Sequence, residues 1–474
     1  MNTLFYPPSI DWELTSVCNH NCIHCYNYWR KQNNIITCEK DSNYYIICAE
    51  KIIRAKPVSV QITGGEPLIM WDKVKPAIER LLDAGICVSI NTNATLATRE
   101  ISKFLSENKI DAFVSFPCSR PEVFDRIVNC PGAHSRALRG IQTMIDEGVR
   151  VSLNMVVTKL NFPYVYETAQ YVHEKLHLSY FSATKASFPQ NADKEFRAQM
   201  LTLVEFNEML DVLLRVKEVL GMRVDSAWVY SLCGFSGWDK IRQFGFNRRC
   251  SCGKYSFVID AEGNIKACGC DSQSFGNILD ESFSEAIAKM TQWQDGSLLP
   301  EKCKYCSALK DCGGGCRSDA CSANGNYCAL DSTADPDKID PKVPGDVASD
   351  DVRDGVFTCP GEVCFVEENG FVRISYRTNY EFVSYQTASF LRHSPNFTVE
   401  ELCQVTLQPH YIVQQWVNKM CSKKLLAISS EQVSNICEIT DKGFPLSATP
   451  YVDQDVPPFV KDYASADHNS KRFV

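Results

Sequence analysis

Several things are scarce in this 474-residue chain. No stretch approaches the ~18 consecutive apolar residues that cross a bilayer, so neither a transmembrane helix nor a membrane partner is expected. Positive charge is outnumbered, with 49 Lys and Arg against 57 Asp and Glu for a net charge of −8. That balance excludes phosphate-backbone binding as the main task, which needs a basic face. The opening Met1-Asn-Thr-Leu-Phe-Tyr-Pro-Pro8 has neither the basic region nor the long apolar core of a signal peptide. A cytoplasmic location is therefore expected. Hydrophobic residues at 45% and charged residues at 22% describe an ordinary globular protein, and the length calls for two or three domains.

Cysteine is the exception, at 24 residues. Without secretion, and in a chain too long to need staples, clustered thiols point to metal rather than to disulfides. Cys18-Asn-His-Asn-Cys22-Ile-His-Cys25 follows the apolar-rich run Ile10 to Val17. Three thiols within eight residues can hold three corners of one iron–sulfur cube. The fourth iron is then open to a small molecule that chelates through an amine and a carboxylate. A structural zinc site is the plainer alternative, but zinc prefers four closed ligands, and only His20 and His24 stand nearby. Eleven cysteines, Cys118 and Cys233 among them, fall outside any metal spacing and read as small buried hydrophobes.

The chain then cycles between strand and helix. Helix 40–54 leads to strand Val58-Ser-Val-Gln-Ile62, which ends in Thr63-Gly-Gly-Glu-Pro67, and helix 71–84 follows. Strand 86–91 pairs with helix 98–107, 111–116 with 134–147, and 149–157 with 163–175, before strand 178–184. Such alternation implies an α/β fold on a parallel sheet.

The C-x3-C-x2-C spacing after a strand resembles the radical S-adenosylmethionine (radical SAM) superfamily, and the six strand–helix units resemble its partial (β/α)6 barrel. The resemblance implies a [4Fe–4S] cluster on Cys18, Cys22 and Cys25. SAM would sit on its open iron and be split reductively into methionine and a 5′-deoxyadenosyl radical. It further implies that Gly64, Gly65 and Glu66, as the GGEP motif, grip the SAM amino group. Asn93, in Asn91-Thr92-Asn93-Ala94, would face the methionine or ribose, with alanine where glycine is usual. Ser115 would contact the ribose or carboxylate, Asn154 would lie near the ribose, and the backbone at His24 would pack on adenine. Asn93, Ser115 and Asn154 read equally well as satisfied turn or strand polar groups. Relatives continue from the serine with Asp-Gly, whereas here the chain reads Pro117-Cys118. A thiol there is a candidate hydrogen donor to a substrate radical, as peptide epimerases require, against the plainer reading of Cys118 as buried filler.

A second string reads Cys250-Ser-Cys252, ten residues, Gly263, four residues, Cys268, and then Cys303-x2-Cys306-x5-Cys312-x3-Cys316, Cys321 and Cys328. A zinc pair is the plain alternative. The whole string matches the family's seven-cysteine SPASM pattern, which implies two auxiliary [4Fe–4S] clusters, three clusters in all. One would use Cys252, Cys268 and Cys316 with Cys250. The other would use Cys303, Cys306 and Cys312, closed by Cys328 or by Cys321, with Cys270 unassigned.

Past an acidic, Pro- and Gly-broken stretch come two strands around Glu367-Glu-Asn-Gly370, an Asn-Gly hairpin signal. Three helices and a short strand follow. This reads as a small winged-helix-like α+β domain. Its presumed recognition helix, Pro409 to Met420, carries one lysine, so nucleic acid is not an expected partner. It is similar to the recognition element that adds the leader of a ribosomally made precursor peptide as an extra strand. The expected division is a radical SAM partial barrel over 1–240, a SPASM domain over 241–330, an acidic linker over 331–358, the peptide-recognition domain over 359–430 and a polar tail over 431–474. The expected function is an oxygen-sensitive radical SAM/SPASM peptide maturase that makes a thioether or carbon–carbon cross-link and draws electrons from a flavodoxin- or ferredoxin-type reductant. The alternatives are an anaerobic sulfatase-maturating enzyme that forms formylglycine, a peptide epimerase, and a cluster-bearing DNA-binding redox regulator.

Overall fold

The computed structural model describes residues 7–27, 40–187, 194–245 and 249–339, and in the C-terminal part 357–359, 363–368, 371–376, 379–383, 385–394, 396–406 and 410–428. The centre of the expected linker (340–356), the Asn369-Gly370 turn and the polar tail lie outside the described residues. Two compact units result: Ser9–Val343, and Pro344–Val474 with Met1–Pro8.

The larger unit is built on one ten-stranded sheet. Its strands are β1 (Ser9–Glu13), β2 (Ser59–Thr63), β3 (Cys87–Thr92), β4 (Asp111–Ser115), β5 (Val151–Val157), β6 (Tyr180–Lys185), β7 (Arg223–Asp225), β8 (Ser256–Ile259), β9 (Asn264–Lys266) and β10 (Ser274–Asn277). Strands β1 to β7 lie side by side in chain order and pair in parallel. Helices cover the sheet: α1 (Ser42–Arg54), α2 (Trp71–Asp83), α3 (Arg99–Glu107), α4 (Pro121–Val128), α5 (Ala133–Asp146) and α6 (Val165–Glu174). Strand alternation sends successive side chains to opposite faces. On β1, Ile10 and Trp12 are buried in the apolar core, while Asp11, between them, lines the central cavity.

One pairing was not legible in the sequence. Strand β8 runs parallel to β1, from Ser9↔Ser256 to Trp12↔Ile259, and β9 and β10 continue antiparallel beyond it. The turn of the β8–β9 hairpin contains Gly263 at φ +84°, as a tight turn requires. The same sheet therefore carries the barrel strands and the cysteine hairpin, and both belong to one compact unit. Between the two parts of the cysteine string lie two short helices, Phe283–Ala288 and Thr291–Gln294.

The smaller unit holds a three-stranded antiparallel sheet of β12 (Cys364–Glu368), β13 (Phe371–Tyr376) and β14 (Asn379–Val383) in that order, while β11 (Phe357–Thr358) pairs with β15 (Ala427–Ile428). Val372, Ile374 and Val383 pack with Leu391, Leu402 and Val417 from helices Tyr385–His393, Val399–Thr406 and His410–Ser422. The third strand, β14, is one more than the sequence pattern suggested.

Candidate active site

The cysteine loop is held by backbone clasps from two sides. Gly65 N–H donates to Thr15 O at 2.6 Å and Glu66 N–H to Val17 O at 2.9 Å, tying the end of β2 to the loop's entry. On the other side Asn21 N–H donates to Val128 O and Ile23 N–H to Ile127 O, both at 2.9 Å. Those are carbonyls of the last turn of α4, which a helix end leaves without internal partners. A Cβ on Gly65 would lie 2.0 Å from Val17 O, so only glycine permits the first clasp.

Glu66 is fully buried, and internal bonds satisfy it. Its carboxylate accepts from Thr92 Oγ1 at 2.6 Å, Asn93 N at 2.8 Å and Leu68 N at 3.1 Å. It thus locks the end of β2 to the end of β3. Asn93 reaches the cysteine loop, its Nδ2 donating to Asn19 Oδ1 at 2.8 Å, and Asn19 Nδ2 donates to Thr95 Oγ1 at 2.8 Å. Ala94 sits at φ +61°, which explains why glycine is usual at that place. Across the sheet Ser115 is in register with Asn154, and Thr184 donates to Asn154 Oδ1 at 3.0 Å.

All of these surround one cavity of about 620 Å³ at the C-terminal ends of the strands, where such sheets bind ligands. Cys18, Cys22, Cys25, His24, Gly64, Gly65, Glu66, Asn93, Ser115 and Asn154 line it, and so do Cys252, Cys268 and Cys270 from the second string. The sequence did not single out Asp11, Gln61, Thr184, Lys185 or Trp228, which also line it. Strand alternation was the available signal for Gln61 and Thr184, and none marked Trp228. His24 is pushed down to about 4 by burial and by the neighbouring His20, so it is neutral at physiological pH.

Cys118 does not line the cavity. Pro117 does, and the thiol one residue later is fully buried, with Arg120 N at 3.5 Å and Thr168 Oγ1 at 3.9 Å. Beside it Phe116 packs edge-on against Phe124 and stacks with Tyr171. The expectation of a thiol at the barrel mouth is corrected: the side chain belongs to the core. Cys118→Ala is therefore expected to cost about 1 kcal/mol of stability and to leave turnover intact, which a melting curve and a product assay check together.

In the second string the thiols gather in two places. Cys252 shares side-chain hydrogen bonds with Cys250 and Cys268, and Cys268 shares one with Cys270, with Cys316 electrostatically close to Cys250 and Cys268. Cys270, unassigned from sequence, thus stands with this set. Cys303, Cys306 and Cys312 line a separate void of about 20 Å³. Cys328 is exposed, its thiol donating to Ser297 O at 3.4 Å. Arg317 organises the string by donating to the carbonyls of Tyr327 and Ala329, both at 2.9 Å. Among the described residues no group of three or more His, Cys, Asp or Glu side chains is set to hold a single metal ion.

Residues 12–172 match the radical SAM superfamily. The chain carries a radical SAM domain. Among curated proteins it is 26% identical over 337 residues to an AdoMet-dependent heme synthase of Methanosarcina barkeri, covering 68% of this chain and 94% of that protein. It is 25% identical over 364 residues to the radical SAM cyclopropyl synthase TigE of Paramaledivibacter caminithermalis, covering 69% and 71%. Among solved structures, anSMEcpe with bound AdoMet superposes with a TM-score of 0.56 at 19% identity, over 69% of this chain and 90% of that one. Streptococcus suis SuiB bound to its precursor peptide SuiA superposes with a TM-score of 0.56 at 16% identity, over 70% and 76%. These two share its fold. The matched radical SAM domain implies SAM and a [4Fe–4S] cluster. The residues fit both groups: three thiols face the cavity, a glycine cradle closes on the cysteine loop, and His24 Nδ1 is buried there without a hydrogen-bond partner among the described residues. No helix among the described residues is long and apolar enough to cross a membrane.

Proposed function

We propose that this radical SAM enzyme is a peptide maturase of the SPASM type, which oxidatively cross-links a ribosomally made precursor peptide. A cavity lined by both cysteine strings carries the reading. When bound, the SAM cluster with SAM supplies a 5′-deoxyadenosyl radical for hydrogen abstraction, and two auxiliary clusters supply an electron sink. Cys18, Cys22 and Cys25 would hold the first cluster, Cys250, Cys252, Cys268 and Cys316 the second, and Cys303, Cys306 and Cys312 the third. Gly64 and Gly65 shape the SAM pocket, and Glu66 keeps the Asn93 loop in place. Ser115 at the end of β4, Asn154 in the middle of β5 and Thr184 near the end of β6 present polar groups to the cavity, where the SAM ribose and a substrate chain can be oriented.

The smaller unit supports a peptide substrate. Its three-stranded sheet has β12 and β14 at its edges, and an open edge can accept a leader as a fourth strand. The DNA-binding alternative loses ground here. Lys419 and Lys423 both pair with Glu381, at 2.6 and 3.0 Å, which ties both ammonium groups back to β14 and offsets one of their two charges. SuiB is solved with a precursor peptide and anSMEcpe with a Cp18Cys peptide, which supports the same substrate class. A non-peptide substrate of the kind that the heme synthase name denotes is the second reading, favoured by the match across 94% of such a protein.

The test is mass spectrometry of a short peptide encoded beside this gene after anaerobic incubation with the enzyme, SAM and a flavodoxin-type reductant. Loss of a pair of hydrogens per modified site is expected, and an unmodified peptide beside consumption of an iron porphyrin in a parallel incubation would select the second reading. Deleting residues 356–474 is expected to weaken peptide binding at least about tenfold, a loss of about 1.4 kcal/mol, read by fluorescence anisotropy.

A further inference from the structure

We infer that Cys233, which lies outside every cysteine motif of the sequence, is the fourth thiolate of the cluster on Cys303, Cys306 and Cys312. This deepens the SPASM reading and rests on it. The short Leu232–Gly234 turn brings Cys233 into the same void as those three thiols, with Leu232, Leu309 and Ile339 as apolar walls. Nothing in the linear spacing announces Cys233, because a long stretch of chain separates it from Cys303 in sequence but not in space.

Three contacts fix the turn against the cysteine string. Leu232 N–H donates to Cys312 Sγ at 3.4 Å. Ser231 Oγ donates to Asp331 Oδ1 at 3.0 Å, and the other oxygen of that carboxylate accepts from Cys316 N–H at 2.8 Å. The backbone N–H of Asp335 donates to the Cys233 sulfur, the kind of bond that tunes a ligating thiolate. Neither expected closing ligand lines this void. The exposed Cys328 bonds to Ser297 O, and Cys321 bonds to the Tyr327 side chain. On loading, the Cys233 thiol would release its proton to solvent and bind iron as the thiolate.

The test uses the full chain with Cys18, Cys22 and Cys25 all replaced by alanine, so that only auxiliary clusters can form. After anaerobic reconstitution this parent is expected to hold about eight irons, two cubes of four. Adding Cys233→Ala is expected to remove about half of that iron, or to leave a three-iron cluster with its oxidised-state paramagnetic signal. Cys233→Ser, which keeps the buried volume, is expected to retain the parent's circular dichroism and to shift the cluster's reduction potential. Cys328→Ala and Cys321→Ala are expected to match the parent. Full iron and an unchanged potential in both Cys233 variants would overturn the assignment, as would loss of the cluster in Cys328→Ala. A parent without iron would instead refute the auxiliary clusters themselves.

Discussion

Gly65→Ala is expected to be among the most damaging single substitutions in the chain. The added Cβ would lie 2.0 Å from Val17 O and 3.0 Å from Ser16 O. Both are backbone atoms, so no side chain can swing aside. Relief requires opening the clasp in which Gly65 N–H meets Thr15 O and Glu66 N–H meets Val17 O. Overpacking costs about 1–3 kcal/mol, and each lost buried hydrogen bond adds about 1 kcal/mol. The sum, about 3–5 kcal/mol, is a large share of the roughly 5–15 kcal/mol that holds a domain folded. Urea denaturation measures the loss, and SAM affinity is expected to fall with it because the cysteine loop hangs on the same clasp. A variant with an unchanged midpoint and unchanged affinity would show that the clasp is dispensable.

Glu66 is expected to make stability depend on pH. Burial lifts its carboxyl from 4.5 to about 7, against the pull of its bonds to Asn93, Thr92 and Leu68. The folded state therefore holds this proton over a range where the unfolded chain has lost it. Stability is then highest below about pH 4.5, falls as pH rises toward 7, and levels off above that. The shift corresponds to about 3 kcal/mol. Glu66→Gln removes the titration but turns an amide toward the Asn93 N–H, leaving a buried donor unmatched at a cost of about 1–3 kcal/mol. Melting curves of the unloaded protein at about pH 5 and pH 7.5 are expected to differ less in Glu66→Gln than in the wild type. Equal slopes in the two proteins would assign the pH dependence elsewhere.

Local features were legible in the sequence because short spacing determines them. The three cysteines of the 18–25 loop, the Gly64-Gly65-Glu66-Pro67 turn and the alternation of strands with helices all lie within a few turns of chain. What escaped was set by distant partners. Strand β8 has only four residues, and nothing local shows that it extends the barrel sheet beside β1. Strand β14 hides behind Glu381, a charged residue tolerated at a buried position because Lys419 and Lys423 pair with it. The direction of the Cys118 side chain depends on how the chain turns after β4, and Phe116 and Thr168 decide it. Asn19 carried no signal of its own, yet it joins the cysteine loop to Asn93.

The central claim is that Cys18, Cys22 and Cys25 hold the cluster on which this enzyme cleaves SAM. The direct measurement is release of 5′-deoxyadenosine by the anaerobically reconstituted, chemically reduced protein, compared with a variant in which all three cysteines are alanine. The wild type is expected to release it and the variant to release none above background. Equal release from both, or none from a wild type loaded with iron, would contradict the account.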